Sequence, residues 1–65
     1  MYISETAARK MLKDAGAERI SGDALKEFRK HLEKSSFETA DKAVKLAHHA
    51  KRKTVEVSDI RLALG

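Results

Sequence analysis

Apolar residues recur at close to helical spacing along most of the chain, and the interruptions are few: Gly16, Gly22 and Gly65 are the only glycines and proline is absent. Three helices are predicted. The first follows Ser4 as N-cap, with Glu5 in its first turn, and runs through Ala7, Ala8, Met11, Leu12 and Ala15 to Gly16 as C-cap. The second starts behind Ser21, with Asp23 in its first turn, and meets no stop before the Lys51-Arg52-Lys53 triplet. Along it Leu25, Phe28, Leu32, Ala40, Ala43, Val44, Ala47 and Ala50 share one broad stripe, opposite Lys34, Glu38, Asp41 and Lys45. Val55 and Val57 suit a short extended stretch, after which Ser58 caps a last helix of little more than one turn holding Ile60, Leu62, Ala63 and Leu64.

A helix from Gly22 to Ala50 spans roughly 43 Å, more than the rest of a chain this small can cover, so much of its apolar stripe is expected to meet a second chain. Short helix, loop, long helix, loop and short helix form a nearly mirror-symmetric order. If two long helices cross antiparallel about a two-fold axis, the first loop of one chain comes beside the second loop of the other.

Composition adds a direction. The 65 residues make one domain at most, with a net charge of +4 and no cysteine, which leaves a partner chain as the means of reaching stability and suits a reducing cytoplasm. No apolar run suggests export or a membrane span. Arg9, Lys10, Lys13 and Arg19 crowd the first third and Lys51, Arg52 and Lys53 follow the long helix, so a symmetric dimer would merge its basic loops into paired patches suited to a polyanion.

The segments Lys13-Asp14-Ala15-Gly16-Ala17-Glu18-Arg19-Ile20-Ser21, Lys45-Leu46-Ala47, His49-Ala50, Arg52-Lys53-Thr54 and Asp59-Ile60 resemble an archaeal-type histone over essentially the whole chain. The resemblance implies an all-α histone fold in a single domain over 1–65, an intertwined head-to-tail homodimer, and double-stranded DNA bent along one edge without regard to sequence. On that basis Arg19 is the arginine that enters the inward-facing minor groove, steadied by Thr54, while Lys53, Lys51 and the helix-start amides hold phosphates. Arg9, Lys10 and Lys13 serve the central site, and helix phase leaves open which of Arg9 and Lys10 faces the DNA. Arg52 and Asp59 are implied to brace the second loop against the last helix. Leu46, His49, Asp59 and Leu62 match positions where histone dimers join into tetramers or longer assemblies. A His49–Asp59 pair across that contact would favour assembly in its charged form. The implied location is cytoplasmic, on the chromosome.

Several positions depart from the family's usual pattern. Ser35, Ser36 and Thr39 occupy the middle of the long helix, Lys51 stands where glycine is common, Arg29 lies near the apolar stripe without an assigned partner, and the chain ends at Gly65. Phe28, Leu32 and Phe37 are expected in the core, and His31 is expected to be solvated. His48 and His49 point about 100° apart and have no set of ligands around them, so no metal or other cofactor is expected. No phosphate loop, nucleophile elbow or framed carboxylate pair suggests catalysis or a small-molecule substrate. The rival reading is a histone-fold module that binds another protein in a transcription-factor-like complex and has little DNA binding of its own.

Overall fold

The computed structural model describes residues 2–65 and contains α1 (Glu5–Asp14), α2 (Gly22–His49) and α3 (Val57–Leu64), with no strand among the described residues. The expected short–long–short helical order is present. Ser4 caps α1 as read from the sequence, its Oγ accepting from the Ala7 N–H at 3.0 Å. Ser21 does the same for α2, accepting from the Ala24 N–H at 3.1 Å. Each hydroxyl satisfies one of the amides that a helix start leaves without a partner.

The first two helices end in the same backbone motif. At the end of α1 the Ala17 N–H reaches the Leu12 carbonyl and the Gly16 N–H reaches Lys13, both at 3.0 Å. At the end of α2 the Arg52 N–H reaches Ala47 and the Lys51 N–H reaches His48, both at 2.9 Å. These crossed bonds define Schellman caps, which require a left-handed residue just past the helix. Gly16 fills that place with φ +111°, one position beyond the Ala15 cap, and Lys51 fills the other with φ +59°. The lysine at a glycine-favouring position thus sits in the left-handed conformation itself.

The last helix begins earlier than the sequence suggests. Glu56, not Ser58, is its N-cap, and Val57 is helical instead of extended. The Asp59 carboxylate accepts from the Glu56 N–H at 2.8 Å, which satisfies the entering backbone two residues before Ser58 and lengthens α3 to eight residues.

By packing, the chain divides into two compact units, Met1–Lys34 and Ser35–Gly65. In the first, Ala8 and Leu25 are buried, and Ile3, Leu12, Ile20, Phe28 and Leu32 are half-buried. In the second, Ala43 and Ala47 are buried together with the charged Asp59, and Leu46 and Ala63 are half-buried. The stripe of α2 is therefore only partly covered: Ala40, Val44 and Ala50 are exposed. Phe37, expected in the core, is 52% exposed. It lies twelve residues past Leu25, about 120° round the helix at 3.6 residues per turn, and so falls off the buried face.

Candidate nucleic-acid interface

The basic residues assigned from the sequence are all at the surface, but their charges are held in different ways. On α1, Arg9 pairs with Glu5 at 3.2 Å and Lys10 with Asp14 at 3.1 Å, both as i,i+4 neighbours. Such exposed pairs are weak and exchange readily for a stronger anion. Lys13, in the last turn of α1, donates from Nζ to the Glu18 carbonyl at 2.6 Å. That bond spans the first loop and ties its backbone to the helix end, one residue before the exposed Arg19.

The second loop is organised around Arg52. Its Nη1 and Nη2 donate to Asp59 Oδ2 and Oδ1, each at 2.8 Å, and Nη1 also reaches the Thr54 carbonyl at 3.0 Å. Glu56 adds a carboxylate at 3.4 Å from Nη1. A bidentate fork fixes the guanidinium in one plane, which a lysine could not do. One residue therefore ties the middle of the loop to the first turn of α3, while Lys51, Lys53 and Thr54 remain exposed around it.

Asp59 is the only buried charge among the described residues, with 3% of its surface exposed. The Arg52 fork, followed by the Glu56 amide, holds its carboxyl down at about 2, against an ordinary value of 3.8. The same pairing raises Arg52. Sequence reading gave Glu56 no role, although the Glu56-x-x-Asp59 spacing is that of a capping box. Arg29, left without a partner by sequence reading, is half-buried and lies 3.9 Å from Glu33. Glu33 in turn accepts from the Tyr2 and Ile3 backbone amides, which lower its pKa.

Of the residues assigned to contact between dimers, Leu46, His49 and Leu62 come together. With Lys42, Lys45 and Ala63 they line an open, largely apolar groove of about 510 Å³. Asp59 is not in that lining, and its oxygens already take three donors from its own chain.

Short and long helices in this order, with basic loops closed by Schellman caps and an Arg–Asp clamp, define a histone-fold protein. Residues 3–64 match the family described as histone-like transcription factor (CBF/NF-Y) and archaeal histone, and the chain belongs to that family. It is 53% identical over 55 residues to the probable archaeal histone 3 of Methanocaldococcus jannaschii, covering 85% of this chain and 82% of that protein. It is 46% identical, with the same coverage of both chains, to the archaeal histone HAN1 of Thermococcus zilligii. As a member of a histone family the chain is a structural protein and not an enzyme.

Proposed function

We propose that the protein is a chromatin architectural protein of the chromosome, which binds duplex DNA without sequence preference and bends it as a homodimer. The observation that carries the reading is the matched construction of the two loops. Each follows a left-handed Schellman residue, is tied back by a cation of its own chain (Lys13 in the first loop, Arg52 in the second), and leaves further cations exposed, Arg19 in one and Lys51 and Lys53 in the other. In a head-to-tail dimer the first loop of one chain meets the second loop of the other, and two such composite sites flank the paired first helices. Arg19 enters the minor groove, where potential is concentrated and base identity is poorly encoded. Lys53, Lys51 and Thr54 hold the adjacent phosphates, and one of the Arg9 and Lys10 pair, with Lys13, serves the centre.

The dimer is supported by what the chain leaves uncovered. Its fully buried apolar residues are one leucine and three alanines, while Met11, Val44, Ile60, Leu62 and Leu64 stand exposed. A core that small falls short of what an independent domain needs, and a second chain supplies the missing cover. The Leu46–His49–Leu62 groove is the surface on which dimers join further.

Nuclease protection on long mixed-sequence DNA tests the reading, because the protected lengths report binding and assembly together. A ladder of regular fragments is expected from a coat that grows dimer by dimer. Affinity should fall about 10³- to 10⁵-fold between 50 and 200 mM salt if roughly six to ten phosphates are contacted. Arg19→Ala should leave the dimer folded and weaken binding. No protection together with a flat salt response would favour the protein-binding module instead.

A further inference from the structure

The cations assigned to the DNA edge on α1 are neutralised by carboxylates of their own helix, yet a row of cations on α2 is not. Lys26, Lys30 and Lys34 follow one another at four-residue intervals in the first half of α2, and all three are exposed. Among the described residues none of them has an ion-pair partner. The nearby Glu33 is turned to other uses, taking the Tyr2 and Ile3 amides and Arg29. Glu27 is the only acid between Lys26 and Lys34 apart from Glu33, one carboxylate beside three ammonium groups.

The row's direction follows from helix geometry. At 3.6 residues per turn, Lys26, Lys30 and Lys34 lie about 100°, 140° and 180° round α2 from the buried Leu25. They occupy the face turned away from the core, and Phe28 and Leu32 point elsewhere. Like charges one turn apart weaken a helix, so the row works against the stability of the element that carries it. No apolar side chain interrupts it, and lysine is depleted in the cores of protein interfaces. A line of flexible point charges about 6 Å apart along the axis suits instead a surface whose charges are closely and regularly spaced. Duplex DNA carries one phosphate charge per roughly 1.7 Å of its axis, so about 12 Å of helix faces ample phosphate for all three ammonium groups.

We propose that the Lys26–Lys30–Lys34 row is a second DNA-contacting surface, by which a dimer already gripping one duplex through its loops holds a second duplex. The proposal rests on the DNA-binding reading above and adds bridging to it. The lysines act as phosphate contacts without base readout, so the second duplex is held regardless of sequence and released by salt before the first.

The test separates the two readings. The full chain is loaded onto an immobilised duplex, the protein retained is measured, and a labelled second duplex of unrelated sequence is then offered. The parent is expected to capture it. The combined Lys26→Gln, Lys30→Gln and Lys34→Gln variant should stay on the first duplex as the parent does and lose the second, whereas Lys→Arg at the same three positions should keep both. In the parent, the salt dependence of second-duplex capture should be steeper by about 2.7 per engaged chain than any residual capture in the glutamine variant, at about 0.9 per phosphate neutralised. Capture by the glutamine variant equal to the parent's, or an equal loss of first-duplex retention, overturns the proposal, the latter by placing the row on the same duplex as the loops. A parent that is retained but captures nothing overturns bridging alone. A parent that is not retained at all overturns the DNA-binding reading, and bridging with it.

Discussion

Exchanging the residue types at the two Schellman positions gives a test whose sign is fixed by backbone geometry. Lys51 holds φ +59°, a conformation that costs a non-glycine residue about 1–2 kcal/mol. Replacing it with glycine removes that strain and restores about 0.5–1 kcal/mol of backbone freedom to the unfolded chain. Lys51→Gly should therefore stabilise each chain by about 0.7 kcal/mol, the difference of the midpoints. Gly16 holds φ +111°, and a Cβ built there meets nothing within 4 Å, so Gly16→Ala is penalised by backbone conformation and not by collision. That penalty is about 1–3 kcal/mol, less the roughly 0.4–1 kcal/mol gained by stiffening the unfolded chain, for a net loss of about 1.3 kcal/mol. At about 4–8 °C per kcal/mol for a chain of this size, Lys51→Gly should raise Tm by about 3–6 °C and Gly16→Ala should lower it by about 5–10 °C. The melts must be run at one protein concentration, because a dimer's Tm shifts with it. Asn at position 16, which tolerates left-handed backbone better than alanine, should recover part of the loss. Lys51→Gly should also weaken DNA binding and flatten its salt slope by up to about 0.9 per chain, since one cation leaves the second loop. A fall in Tm for Lys51→Gly, or an unchanged Tm for Gly16→Ala, would refute the conformational argument.

Two further outcomes follow from the charges. The Asp59 carboxyl sits at about 2 in the folded chain, below its ordinary 3.8, so the stability it contributes is complete above about pH 4 and is lost as pH falls from there toward about 2. Acid titration followed by circular dichroism should show that loss in the parent and a much shallower one in Asp59→Asn, which will be less stable at neutral pH; equal acid sensitivity in both would remove Asp59 as the cause. Glu5→Gln with Asp14→Asn frees Arg9 and Lys10 from their i,i+4 partners and should tighten binding to duplex DNA and steepen its salt dependence, by up to about 0.9 for each added phosphate contact. Unchanged affinity in a filter-binding titration would place both cations off the DNA.

Much of this protein was legible before any fold was drawn, because the information was local. Ser4, Ser21 and Gly16 announced helix ends through bonds that close within a few residues, and the stripe through Leu25, Phe28, Ala43 and Ala47 needed only the helical period. The Arg29–Glu33 pair was within the same reach, as an i,i+4 neighbour, and so was the Glu56-x-x-Asp59 cap. Other features depended on residues brought together by chain folding. Asp59 can be buried as an anion because Arg52 arrives from the loop seven positions earlier with two parallel donors, and no propensity of either residue predicts that meeting. The same bond network moved the start of α3 from Ser58 to Glu56, since a cap forms where its partner's side chain is already held. Phe37 was assigned to the core on hydrophobicity alone, whereas its position round α2 turns it outward. The strain at Lys51 arises because a helix that must stop there leaves its next residue one left-handed conformation in which to close the cap, whatever side chain the sequence supplies.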